Sequence, residues 1–162
     1  MLDVFLWLGE PVRFWGAVVF MFGCIVGSFL NVCIHQLPRE MGLMSPGSHC
    51  PRCGMPIPWY RNLPLVTWLW QRGRCAECSA RIPVRYLLVE LLTGAAFLAA
   101  FLLVWLKFKP VDPFPAAAMT VTLCALLAGL ITATFIDFEH YIIPDEITIG
   151  GMVVGVMFSL LV

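Results

Sequence analysis

Long apolar runs alternate with short polar segments along this chain, and the runs set its architecture. Phe14 to Ile34 is 21 residues without a formal charge, Leu87 to Leu106 is interrupted only by Glu90 near its start, and Ala116 to Ile136 is again uncharged. A helix needs about 20 apolar residues to cross roughly 30 Å of hydrocarbon, so each run predicts a membrane span. Ile147 to Val162 is a fourth apolar run, of 16 residues; at about 1.5 Å per residue it reaches roughly 24 Å, short of a crossing. The pattern predicts an all-α polytopic membrane protein with three to four transmembrane helices and a small lobe between the first two spans. The N-terminus and first span occupy 1–34, the lobe 35–86, and a membrane part 87–162, with spans at about 87–106, 116–136 and 147–162.

Composition supports this reading. Hydrophobic residues make up 60% of the 162 and charged residues 12%, against roughly 45–50% and 25% in soluble domains. So few charged groups cannot cover a soluble domain of this size, and a disordered chain is excluded. The first run is longer than a signal-peptide core and no A-x-A site follows it, so it reads as a retained span.

Formal net charge is zero, yet the signs are segregated: seven of eight arginines lie between Arg39 and Arg85, and four of ten acids between Asp137 and Glu146. Arginine-rich loops stay in the cytoplasm. The 35–86 lobe and the 137–146 loop are therefore expected inside, with the N-terminus and the 107–115 turn outside. Lys107 and Lys109 oppose this but are outnumbered.

The lobe carries Cys50-Pro51-Arg52-Cys53 and, beginning 22 residues after Cys53, Cys75-Ala76-Glu77-Cys78. Each C-x₂-C turns two sulfurs toward one centre, and two such pairs match the closed four-thiolate site of zinc ribbons. Cys50, Cys53, Cys75 and Cys78 are the metal-ligand candidates, with zinc the expected ion in a structural role. Iron suits the same ligands, and disulfides are the competing reading, disfavoured in a reducing compartment. Gly54 stands where a turn needs positive φ, and small Ser79 and Ala80 follow the second pair. His49 reads as a loop residue; Cys24, Cys33 and Cys124 read as apolar packers within spans. Trp59, Tyr60, Trp68 and Trp70 suit an interfacial belt.

Asp137 follows the third apolar run directly. An ionisable group at membrane depth is a functional candidate, and the competing reading is a residue that merely ends the helix. Glu139, His140, Asp145 and Glu146 read as a solvated loop whose negative charge attracts a basic segment.

These residues carry a resemblance. Gly27-Ser28-Phe29-Leu30-Asn31-Val32, running on to Leu37-Pro38, is similar to the opening motif of type IV prepilin leader peptidases. The paired C-x₂-C loop resembles their cytoplasmic lobe, Arg85 to Gly94 the entry to their second span, and Asp137 to Asp145 their D-x₆-P-D motif. The likeness runs in order from about residue 16 to 150. It implies a bifunctional intramembrane aspartic peptidase of the bacterial inner membrane. Such enzymes cut the basic leader from prepilins or pseudopilins at the cytoplasmic face, and many then N-methylate the new terminus with S-adenosylmethionine. It implies Asp137 as one catalytic aspartate, with Glu139, Asp145 and Glu146 as substrate-binding candidates for the basic leader.

The family's second aspartate lies in a later G-x-G-D motif, and no acid follows Glu146 here. The chain thus reads as the N-terminal portion of such an enzyme, inactive alone, with a C-terminal complementing segment or homo-oligomer supplying the missing group. The alternative is a non-catalytic, zinc-stapled membrane module that binds prepilin or a pilus or secretion assembly platform. Membrane lipid is the other expected partner, and no nucleic acid is expected.

Overall fold

Each apolar run forms a helix that outlasts its uncharged stretch. The computed structural model describes residues 10–39, 49–50, 52–58, 63–108, 113–142 and 144–161. Helix α1 spans Glu10–Gln36 and ends in a 3₁₀ turn, Leu37–Arg39. Pro11 is tolerated in its first turn, where an N–H has no intrahelical partner in any case. The short α2 (Val66–Trp70) lies within the lobe. Helices α3 (Val84–Phe108), α4 (Pro113–His140) and α5 (Asp145–Leu161) follow. Among the described residues there are no strands, only two isolated bridges in the lobe. The helices overrun the hydropathy boundaries because the backbone ladder continues where side chains turn polar.

Among the described residues, three helices are long and apolar enough to cross a membrane: Val12–Arg39, Val84–Lys107 and Phe114–His140. The chain is a multi-pass membrane protein. The expected turn around Lys109, Pro110 and Asp112 lies outside the described residues.

The polar segment after the third run departs from its expected form. Asp137, Phe138, Glu139 and His140 form the last turn of α4, and Asp145 and Glu146 the first turn of α5. The solvated segment expected at Glu139, His140, Asp145 and Glu146 is therefore helical at both its ends. Tyr141, at φ 55°, ends α4 while its N–H still bonds the Asp137 carbonyl at 2.9 Å. Acids at the start of α5 and His140 at the end of α4 suit the helix dipoles, whereas Asp137 and Glu139 stand at the unfavourable end of α4, where Glu139 is ion-paired with Arg85.

The tightest packing is between α1 and α3. Gly23 and Gly27, four residues apart, face α3 so closely that a Cβ on Gly27 would lie 2.7 Å from the Glu90 Cα, and one on Gly23 2.8 Å from the Gly94 Cα. Small residues at this spacing let helix backbones touch, and in lipid that close packing replaces the hydrophobic drive. Helix α4 closes the bundle through Ile131 and Ile136, which pack with Leu30, Ile34 and Val89. Buried Thr93 and Thr132 return their hydroxyls to the carbonyls of Val89 and Ala128, at 2.7 and 2.9 Å, so they add no unpaired donor. Helix α5 packs mainly on α4, and its side chains from 148 to 157 are exposed.

Candidate functional site

Both C-x₂-C pairs fold into the same turn. In the first, the Cys50 N–H bonds the Met55 carbonyl at 2.9 Å and the Gly54 N–H bonds the Cys50 carbonyl at 2.8 Å. In the second, Cys75 N–H bonds Ala80 at 2.8 Å and Ser79 N–H bonds Cys75 at 3.0 Å. Bridges His49–Pro56 and Arg74–Arg81 flank them in equivalent positions. Gly54 takes φ 68°, as the sequence suggests, and Ser79 takes the same left-handed conformation at φ 56°.

These turns bring the four sulfurs of Cys50, Cys53, Cys75 and Cys78 within 4.8 Å of one another. Cys50 and Cys78 Sγ stand 3.8 Å apart. Tetrahedral metal–sulfur bonds of about 2.3 Å require sulfur–sulfur edges of about 3.8 Å, whereas a disulfide requires about 2.05 Å. All four thiols are free. The arrangement fits one metal ion with a full ligand shell. Backbone N–H groups of Cys53 and then Arg52 directed at Cys50 lower its thiol to about 6, which favours the thiolate a metal binds. His49 is not part of the group.

Glu90 joins this lobe to the membrane helices. This one charge in the second apolar run is 8% exposed and accepts the Leu65 N–H at 2.7 Å. Ser28 of α1 hydrogen-bonds the same carboxylate. Leu65 holds φ 59° where it enters α2. On α2, Trp70 is 86% exposed, whereas Trp68, expected in the same belt, is half-buried with its Nε1 enclosed. Trp59 and Tyr60, expected in that belt, lie outside the described residues.

Between the lobe and the adjoining ends of α1 and α3 lies a cavity of about 800 Å³. Asn31 and Gln36 of α1, Trp68 of α2, and Tyr86 and Glu90 of α3 are among its walls. The sequence offers one cue to it, polar Asn31 within an uncharged run; Gln36 and Trp68 carry no local signal of a shared cavity.

The acidic edge sits at the same end of the bundle. Glu139, on the last turn of α4, forms an ion pair with Arg85, which opens α3 as the chain leaves the lobe. The Arg85 guanidinium also lies 5.3 Å from the Tyr86 ring centroid. Asp137 is exposed one half-turn earlier on α4. Asp145 and Glu146, also exposed, stand on a different helix across the 141–144 link. Thus Asp137, Asp145 and Glu146 are exposed, and Glu139, its side chain 37% exposed, is ion-paired with Arg85.

Comparison with known proteins matches residues 21–104 to the family model described as the bacterial peptidase A24 N-terminal domain. This match covers most of α1, the lobe and most of α3. A prepilin leader peptidase/N-methyltransferase of Myxococcus xanthus is 41% identical over 141 residues, covering 87% of this chain and 39% of that protein. One from Aeromonas hydrophila is 39% identical over 176 residues, covering 90% of this chain and 55% of the relative. A type 4 prepilin-like proteins leader peptide-processing enzyme of Escherichia coli is 38% identical over 153 residues, covering 83% and 53%. The chain spans about two-fifths to just over half the length of these relatives. No solved structure matches it significantly.

Proposed function

The chain belongs to the bacterial peptidase A24 family, and we propose that it forms the N-terminal part of a prepilin leader peptidase/N-methyltransferase. In this reading it acts at the cytoplasmic face of the bacterial inner membrane, cutting the basic leader from prepilins or pseudopilins. The observation that carries it is the Arg85–Glu139 pair, because it draws the Asp137 turn of α4 to the end of the bundle that bears the lobe. A leader entering at that end meets the candidate carboxylate where the apolar helix stops.

Asp137 is then one half of an aspartic dyad. One carboxylate, ionised, activates water while a protonated partner polarises the scissile carbonyl. The family's G-x-G-D aspartate has no counterpart in these 162 residues, so the partner carboxylate comes from a further segment or a second polypeptide. Asp145 and Glu146 attract the basic leader; Glu139 acts by holding Arg85.

The four cysteines hold structural zinc, which joins two turns that lack an apolar core of their own. S-adenosylmethionine, when bound, supplies an electrophilic methyl group for the new N-terminus. The second reading is a non-catalytic module that binds prepilin. Expression of the 162-residue chain in a host lacking its own prepilin peptidase, alone and with the C-terminal half of a relative, separates the two. Cleavage restored only by the pair supports a shared dyad; no cleavage in either case, despite membrane insertion, supports the module.

A further inference from the structure

We propose that the outward face of α2, made by Val66, Leu69 and Trp70, is seated in the phospholipid leaflet on the lobe's side of the membrane, with anionic headgroups as its partners. The i, i+3, i+4 spacing puts these three residues on one side of the helix, and all three are exposed. The other side is taken up within the protein. Thr67 and Trp68 line the cavity, and the Trp68 ring lies so near Gly73 that a Cβ there would stand 2.8 Å from it. The short helix thus carries two apolar faces, and only one is covered by described residues.

Depth points to what meets the other. The N–H of Leu65, the residue before α2, bonds Glu90, which stands on the second turn of α3, roughly 9 Å along the axis from Val84. Ser28, bonded to the same carboxylate, lies roughly 12 Å from the Gln36 end of α1. Around that level α3 exposes Leu88, Leu91 and Leu92, a lipid-facing surface. Two helices therefore place the start of α2 at the margin of the apolar zone, the depth at which interfacial helices lie.

Charge selects the headgroup. Segment 37–83 carries six arginines against two glutamates. Arg74 and Arg81 stand opposite one another across a bridge, both exposed, and like charges so placed repel unless an anion lies near. Arg72, just beyond α2, is exposed as well. Such a basic cluster beside a spanning helix attracts an anionic leaflet. The same charge repels the basic leader proposed for the acidic edge. The lobe then has two fastenings, Glu90 from within the bundle and lipid from outside it.

The test uses the 162-residue chain in lipid nanodiscs, labelled with 5-fluorotryptophan; the Trp70 resonance is the line that Trp70→Phe removes. Because Trp70 is exposed, this variant should melt with the parent. A phospholipid spin-labelled near the head of its acyl chain should broaden the Trp70 line, and a water-soluble gadolinium chelate should broaden it far less. Adding phosphatidylglycerol to phosphatidylcholine discs should strengthen the lipid-borne broadening by about twofold. Equal or greater broadening by gadolinium overturns the proposal, since the face then meets water. A line shielded from both agents also overturns it, with a second copy or another protein as the cover. Lipid-borne broadening that is the same in neutral and anionic discs overturns the anionic partner. Nanodiscs have no inside, so none of these outcomes depends on which face is cytoplasmic or on leader cleavage.

Discussion

The carboxylate of Glu90, inside the apolar part of α3, accepts the backbone N–H of Leu65 at 2.7 Å across 25 residues of sequence. A lobe outside the apolar core is thereby fastened to a helix inside it by a buried hydrogen bond. Glu90→Ala leaves the Leu65 N–H without that acceptor and should destabilise the protein by about 1–3 kcal/mol. Glu90→Gln keeps an acceptor oxygen and should cost less. Thermal melting in detergent, with limited proteolysis of the lobe, reads both; equal losses in the two variants would show that the bond contributes nothing.

Gly27 sits where α1 and α3 touch. A methyl group there meets the Glu90 Cα at 2.7 Å, a backbone atom that cannot rotate aside. Gly27→Ala should therefore force the helices apart and cost about 1–3 kcal/mol, as overpacking does. Gly150→Ala is the control, since no atom lies within 4 Å of a Cβ there. Melting temperatures of the two variants should differ clearly, with Gly150→Ala near the parent.

Purified protein should carry about one equivalent of zinc per chain. Replacing any of Cys50, Cys53, Cys75 or Cys78 by Ser should lower that content. Metal should also be released as pH falls, because protons compete for the thiolates. Elemental analysis together with thiol alkylation checks this; no metal, with all four cysteines alkylated in native protein, would contradict it.

Asp137→Asn, in the chain joined to a relative's C-terminal half, should reduce leader cleavage by about 10²–10⁴-fold, the scale of a lost general acid or base. Asp145→Asn should mainly weaken substrate binding and leave the chemical step largely intact. A gel assay of leader removal at saturating and limiting prepilin separates the two effects. Full cleavage by Asp137→Asn would remove that residue from the dyad.

Much of this architecture was legible in the sequence because hydropathy and cysteine spacing are local signals. The uncharged runs mark the bundle helices, and paired C-x₂-C motifs mark turns whose geometry is set within six residues. Boundaries were less legible: Asp137 to His140 read as loop, since polarity marks the edge of the lipid rather than the end of a backbone ladder. Long-range relationships were hidden for another reason. Nothing near Glu90 announces Leu65, 25 residues away in sequence, because that bond exists only once the lobe has folded back onto α3. Glu139 shows the same limit, since the sequence offers it to a substrate and the fold gives it to Arg85.

The glycine contact between α1 and α3 also bears on how the lobe can form. Segment 37–83 leaves one helix and re-enters the other, and their backbones touch within a few turns of that end. Once the two helices pair, this insertion is a loop whose stem is already closed, so much of the entropy of bringing its ends together is spent before a sulfur meets a metal. Assembly of the lobe is then a short-range search, and a substitution at Gly23 or Gly27 would slow metal capture although neither residue is a ligand.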